Sequence, residues 1–369
     1  MARKPASGPV RYAVIGLGHI AQVAVLPAFA NAKENSQLTA LVSDDAEKRA
    51  VLGGRYSVPH TFAYKDIDAC LEVVDAVYIA LPNSMHAQFT IRAAEAGVHV
   101  LCEKPMAVTV DECERMLAAT RANDVRLMIA YRLHFEHVNL KAIDLLERGA
   151  IGEPKLFNST FSMRVRPGDI RTERAMGGGT LYDIGVYCIN AARYLFRAEP
   201  TEVLACSVNN DPDRLPEIDE TTAAILRFEG ERVASFVTSF NAADASWYEV
   251  VGTKGRLRVE PAYEYAEGLA YEITTEGRTT KRQTVKRDQF AAELIYFSSC
   301  ILDGVEPEPS GEEGCQDVRI VAALYESAEV GRAVQLPRYE PARRPDQQQE
   351  IRRPPVSKPE TVNAPEPSL

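Results

Sequence analysis

Along the first third of the chain, apolar residues fall into short runs separated by amphipathic stretches of helical length. Val10–Ile15, Leu38–Val42, Ala76–Leu81, Val98–Cys102 and Arg126–Ala130 read as strands. Ala76–Leu81 (AVYIAL) has no polar face, which fits a central parallel strand covered on both sides. Between these runs, Ile20–Ala30, Ala46–Tyr56, Ser84–Ala96 and Val110–Ala122 read as helices, with Gly97 placed as a C-cap glycine. Strand and helix in strict alternation predict a doubly wound parallel α/β sheet over residues 1–131.

The rhythm then changes. His137–Glu147 reads as a helix, Lys155–Val165 as a strand and Leu181–Phe196 as a helix. Glu202–Val208, Thr221–Phe228, Val233–Phe240, Trp247–Val251 and Arg256–Val259 alternate with a period of two, and consecutive strands of that kind build an antiparallel sheet. Phe290–Leu302 and Gln316–Arg332 close the segment as helices. Residues 132–335 are therefore expected to form an α+β domain. From Leu336 the chain fills with Pro, Arg, Gln and Glu; residues 336–369 are expected to be a tail, disordered or laid along a partner subunit.

Composition narrows the choice of partners. A net charge of −10 argues against a nucleic-acid partner, which needs a basic face. No apolar run approaches the ~20 residues that span a bilayer. The leader MARKPASGPV has no apolar signal core, and the 7 cysteines are scattered without a CxxC pair. A cytoplasmic protein with reduced thiols is expected.

The chemistry begins at Gly16-Leu17-Gly18-His19-Ile20-Ala21. This GxGxxA fingerprint follows a strand and opens a helix, so its backbone amides and the helix N-terminus can receive a pyrophosphate. The end of the second strand selects the cofactor. Ser43 occupies the position where NAD sites place a carboxylate, and Lys48 and Arg49 follow one turn later. This points to the 2′-phosphate of NADP rather than to NAD. Asp44 is the counter-signal, and Lys48 and Arg49 can also be read as solvated helix charges. The loop after the fourth strand, Leu81-Pro82-Asn83-Ser84-Met85-His86, should border the cofactor, with Asn83 and His86 as candidate contacts; His86 can equally cap the next helix.

Oxidising an alcohol needs a hydride acceptor and a base within reach of the hydroxyl. Glu103-Lys104-Pro105 stands at the end of a buried strand, so Lys104 would overlook the crevice. Asp183 and Tyr187, in the segment GGGTLYDIGVY, share one helical face. A free tyrosine titrates near ~10, so a tyrosine base needs a cation beside it, for which Lys104 is the candidate. Asp183 can also be read as a plain helix contact and Tyr187 as core. His134 and His137 invite a metal, but a zinc site needs a fuller ligand set, and no metal is expected.

The fingerprint, the EKP tripeptide and the GGGxxxDxGxY segment together resemble the glucose–fructose oxidoreductase and inositol dehydrogenase family (Gfo/Idh/MocA), from about Arg11 to Gln335. VYIALPNSMH, CEKPMA, AYRLHF and GEEGCQDVR resemble its glucose–fructose oxidoreductase-like branch, as does Tyr187 where many members carry histidine. The resemblance implies an N-terminal Rossmann domain and a C-terminal α+β domain on a large, mostly antiparallel open sheet used for homo-oligomer contacts. It implies Lys104 and Tyr187 as the catalytic pair, a cis Lys104–Pro105 bond, and Asp183 and Arg132 at the substrate, with Glu103 and Arg132 also bordering the cofactor. The activity implied is oxidation of an aldose to its lactone with NADP, a second sugar being reduced to an alditol through a tightly bound cofactor. Two alternatives stand beside it: a one-substrate sugar or polyol dehydrogenase or ketose reductase with dissociable cofactor, and a non-enzymatic nucleotide-binding sensor. The branch's export signal and N-terminal arm, which locks in the cofactor, find no counterpart in the short leader.

Overall fold

A computed structural model describes residues 8–368; the leader ahead of Gly8, read above as lacking a signal core, lies outside them. The first sheet contains β1 (Val10–Ile15), β2 (Ser36–Val42), β3 (His60–Phe62), β4 (Ala76–Ile79), β5 (His99–Cys102) and β6 (Leu127–Ile129). Their order is β3-β2-β1-β4-β5-β6, with every neighbouring pair parallel. The strand order reverses between β1 and β4, and this switch point opens a crevice at their carboxyl ends. Alternate residues of a strand face opposite sides. Thus Val10, Tyr12 and Val14 join one buried cluster, and Ala13 and Ile15 join another.

In the first domain β3 and the helix Ile67–Glu72 went unpredicted. β3 is a three-residue edge strand with two exposed positions, too short and too wet to leave a hydropathy pattern.

The second sheet has nine strands: β7 (Pro154–Ser162), β8 (Pro200–Val208), β9 (Thr221–Phe228), β10 (Arg232–Ser239), β11 (Ala245–Gly252), β12 (Gly255–Val259), β13 (Ala270–Thr275), β14 (Arg278–Gln283) and β15 (Val334–Gln335). Their order is β14-β13-β12-β11-β7-β10-β9-β8-β15, antiparallel except for the β7–β10 pair. Phe157, Phe228 and Phe236 on its inner face pack against Ile189 and Leu195 of the helix Val186–Phe196 and Leu324 of the helix Gly311–Val330. β13 and β14 extend the sheet beyond the expected strands. β14 is exposed at all six positions, so nothing in its sequence alternates.

Two features differ from the expected segmentation. The helix Gln289–Asp303 lies within residues 132–335 but covers the first sheet: Phe290, Leu294 and Phe297 share a cluster with Tyr12 and Val14. Tyr12 Oη lies 2.8 Å from Ser298 Oγ. Residues 336–368, expected to be disordered or held by a partner, instead run back over their own chain. They are tied down by polar anchors such as Arg344 Nη2 to Glu199 (2.9 Å) and buried Gln349 Nε2 to Glu308 Oε2 (2.7 Å). Such anchors leave no mark in a hydropathy pattern.

Candidate active site

The glycine loop closes tightly on one side and opens on the other. Gly16 has φ +92°, and a Cβ there would stand 2.4 Å from the Ala80 carbonyl oxygen, so only glycine lets the loop lie against the end of β4. At Gly18 a Cβ would meet nothing within 4 Å, and this side faces a cavity of about 910 Å³. The helix expected over Ile20–Ala30 is present but irregular, with a π-type turn at Ala21–Val25 and a 3₁₀ turn at Phe29–Asn31.

The cavity brings together nearly every candidate. Gly16, Gly18, His19, Ile20, Ser43, Lys48, Leu81, Pro82, Asn83, Glu103, Lys104, Arg132, Asp183 and Tyr187 all line it. Two do not. His86 is fully buried; its Nδ1 lies 2.9 Å from the Pro105 carbonyl and its Nε2 2.9 Å from the Leu81 carbonyl. It ties the loop after β4 to the loop after β5 instead of meeting a ligand. Arg49 turns its guanidinium back onto the Ser43 carbonyl oxygen.

At the end of β2 the acidic residues face elsewhere. Asp44 Oδ1 accepts the Tyr64 backbone N–H at 2.9 Å. Asp45 caps the helix Ala46–Arg55, accepting the amides of Glu47 (2.9 Å) and Lys48 (3.0 Å). Neither lines the cavity, whose wall here is Ser43, Lys48 and Tyr64.

The opposite wall comes from the segment after the three glycines. Gly177 has φ +78°, and a Cβ there would sit 2.5 Å from Val108 Cγ2 and 2.8 Å from Asn83 Cβ. This close approach, with Asn83 Nδ2 donating to the Gly177 carbonyl at 2.9 Å, seats the segment on the first sheet's loops. Leu181–Gly185 then forms a π-type turn before the helix Val186–Phe196, a distortion common at functional sites. It places Asp183 against Lys104, whose Nζ donates to the Asp183 carbonyl (2.7 Å) and Oδ1 (3.1 Å). Lys104 and Pro105 are joined by a cis peptide.

Asp183 is held between two cations. Arg171 Nε donates to its Oδ2 at 2.9 Å. Burial alone would push this carboxyl up, but Arg171 and Lys104 hold it down at about 2. Burial likewise works against the Lys104 ammonium, and Asp183, Tyr187 and Glu103 outweigh it, so its pKa is raised and the group stays charged. Burial raises the Glu103 carboxyl, which accepts the Tyr78 hydroxyl at 2.8 Å.

Tyr187 lies between two cations. Lys104 Nζ sits 4.8 Å from its ring centroid, and Arg132 Nη2 donates to its hydroxyl oxygen at 3.3 Å. The cation at the phenol oxygen is thus Arg132, whereas the sequence pattern pointed to Lys104. Arg132 is itself fixed by the carbonyls of Tyr263 and Glu264 and by Gln289 Oε1. Arg171 was missed in the sequence: it lies in an irregular, arginine-rich stretch where no periodicity singles out one residue. His134 and His137 are engaged, His134 with Glu308 (3.0 Å) and Asn190 (2.8 Å) and His137 with Glu350 (2.9 Å).

The chain is similar to known proteins over most of its length. Residues 10–131 match the oxidoreductase family model with an NAD-binding Rossmann fold, and residues 139–258 match the GFO/IDH/MocA C-terminal domain. D-xylose 1-dehydrogenase [NADP(+)] of Haloarcula marismortui is 35% identical over 89% of this chain and 93% of its own. Aldose–aldose oxidoreductase from Caulobacter crescentus, solved with glycerol, superposes with a TM-score of 0.85 at 38% identity, covering 89% of this chain and 100% of that one. A 3-ketoreductase from Actinomadura kijaniata, solved with NADP and TDP-benzene, gives 0.79 at 29% identity over 87% of this chain and 98% of its own. The chain therefore belongs to the Gfo/Idh/MocA family and is an NAD(P)-dependent oxidoreductase acting on CH–OH groups of sugars.

Proposed function

We propose that the protein is an NADP(H)-dependent aldose oxidoreductase that oxidises an aldose at C1 to its lactone and reduces a second sugar to an alditol in the same cavity. The observation that carries this reading is the convergence of Lys104, Asp183 and Tyr187 beside a glycine loop whose adenosine end presents no carboxylate. The open side of Gly18 leaves room for a pyrophosphate, and Ser43 and Lys48 suit a 2′-phosphate, which Asp44 and Asp45, turned away, do not oppose. When bound, NADP(H) accepts or supplies the hydride.

The rest of the chemistry falls to side chains. The Lys104 ammonium has three donors and Asp183 takes two of them, leaving one for the substrate oxygen. Tyr187, as the phenolate, takes the hydroxyl proton as the carbonyl forms and is left as the neutral phenol; the Arg132 guanidinium, which donates to its oxygen, supports the phenolate. Returning that proton to a second sugar completes the reductive half. Asp183 and Arg171 fix the position of Lys104.

The Haloarcula relative favours a second reading, a one-substrate dehydrogenase that releases its cofactor. An aldose panel separates the two. With one aldose and a trace of NADP⁺, the proposed cycle yields equal lactone and alditol without accumulating NADPH. Accumulating NADPH equal to the lactone formed favours the dehydrogenase, and a panel that yields no lactone, no alditol and no NADPH refutes both.

The cytoplasmic assignment rests on the sequence; no helix among the described residues is long and apolar enough to cross a membrane. The outer face of the second sheet is the proposed homo-oligomer contact. There Leu156, Leu204, Ile225, Val233 and Val237 are exposed, and the strand register puts them on one side.

A further inference from the structure

The final segment of the chain runs to the cofactor cleft and crosses it. Its upstream part is pinned to the body by Gln349 on Glu308, by Glu350 on His137 and Arg287, and by Arg353 on Glu34 and Asn31. Beyond it, Val362 pairs in both directions with the side chain of Gln22: its N–H donates to Oε1 at 2.7 Å, and its carbonyl accepts from Nε2 at 2.9 Å. Gln22 is fully buried, and the same Nε2 donates to the Leu17 carbonyl at 2.9 Å, so the segment is hydrogen-bonded through one side chain to the glycine loop itself.

Asn363 Nδ2 donates to Asp45 Oδ2 and Glu47 Oε2, each at 3.0 Å, covering two carboxylates beside the Ser43–Lys48 wall. The chain then reaches the second sheet's side of the cleft. There the Arg166 N–H donates to the Pro367 carbonyl and Arg166 Nε to the Ser368 carbonyl, both at 2.8 Å. Gln22 belongs to the helix after the glycine loop of the first sheet and Arg166 to the stretch after β7 of the second, and the arm joins them.

On this arm Lys358, upstream of the Val362 anchor, and Glu366, beside the Pro367 anchor, line the cavity that also holds Gly18 and His19. They form an exposed ion pair with each other, a kind of pair that contributes little to stability. Phosphates held on the glycine loop by backbone amides and the helix N-terminus would carry more negative charge and more acceptor oxygens than one exposed carboxylate, and so would compete with Glu366 for the ammonium.

We propose that residues 336–368 are a strap closing the cofactor cleft of their own chain, and that Lys358 on this strap is a contact for the phosphates of the bound dinucleotide. The proposal rests on the dinucleotide reading of the cleft and extends it to release: the anchors at Gln22 and Arg166 must part before the cofactor leaves. A retained cofactor is what a two-sugar cycle requires, and the arm supplies retention from the C-terminal end of the same chain.

The test uses the full-length protein and NADPH. Dissociation is followed by the loss of nicotinamide fluorescence after mixing with excess NADP⁺, for wild type, Lys358→Met and Lys358→Arg. Amide hydrogen exchange across residues 356–368 is measured with and without NADPH. Lys358→Met should release NADPH about tenfold faster, the scale of one charge-assisted hydrogen bond, and Lys358→Arg should restore slow release. Bound NADPH should slow exchange in the arm by a similar factor. An unchanged release rate in Lys358→Met, with an arm whose exchange ignores bound NADPH, overturns the strap and leaves the oxidoreductase reading intact. A wild-type protein that binds no NADPH at all overturns the reading of the cleft itself.

Discussion

Replacing Tyr187 by phenylalanine removes one oxygen and keeps the ring. That ring packs against Phe161 and Tyr263, with centroids 5.7 and 5.8 Å away, so the cavity wall should persist. The lost hydrogen bond from Arg132 is long, at 3.3 Å, and the guanidinium keeps its acceptors at Tyr263, Glu264 and Gln289. The cost in stability should therefore stay below about 1.5 kcal/mol, the upper end for an ordinary hydrogen bond. The cost in rate is of another size. A positioned acid–base group contributes ~10²–10⁴-fold, or about 3–5 kcal/mol of barrier. Single-turnover reduction of NADP⁺ by the best aldose measures that step directly, and fluorescence titration with NADPH measures binding separately. Expected is a drop of at least about a hundredfold in the hydride step with NADPH affinity unchanged. A variant that turns over near the wild-type rate would remove Tyr187 from proton transfer and leave Lys104 as the remaining acid–base candidate at the site. A variant that loses rate and cofactor binding together would point to a collapsed wall instead.

Ser43→Asp should place a carboxylate beside the 2′-phosphate position and reverse the preference from NADP to NAD, read as the ratio of kcat/KM for the two; wild type preferring NAD would refute the assignment of Ser43 and Lys48. Acid should also reveal the Asp183 cluster. Its carboxyl falls from the ordinary 3.8 to about 2 in the folded protein, because Arg171 and Lys104 outweigh the effect of burial. A depressed carboxylate stabilises the fold above its unfolded pKa and loses that contribution as pH falls toward the folded value. The contribution, on the order of 2 kcal/mol, should be complete above about pH 4 and disappear between about pH 4 and 2. Denaturant titrations of wild type and Asp183→Asn across that window check it; parallel acid limbs for the two would show that Asp183 carries no such linkage.

Much of the first domain was legible because a parallel sheet covered on both faces writes itself as apolar runs. β1, β4 and β5 lie within the runs read from the sequence, and the glycine loop between β1 and its helix was marked by the φ that only glycine adopts easily. The chemistry-bearing residues Lys104, Asp183 and Tyr187 stood out as residue types at the ends of strands and on one helical face, and the fold carries all three to one cavity.

Tertiary structure alone decided the rest, each time because the deciding contact is polar or distant in sequence. β3 and β14 are exposed edge strands whose residues bury almost nothing, so no period records them. His86 looked like a cofactor contact from its loop, yet two carbonyls brought in by separate loops claim its ring. Arg171 was one arginine among several until the π-type turn set Asp183 within 2.9 Å of its Nε. The tail read as unable to fold alone, and nothing in its composition contradicts that. It is ordered by hydrogen bonds to Gln22, Asp45 and Arg166, residues separated from it by some 200 to 340 positions, and sequence patterns record local burial rather than partners that far away.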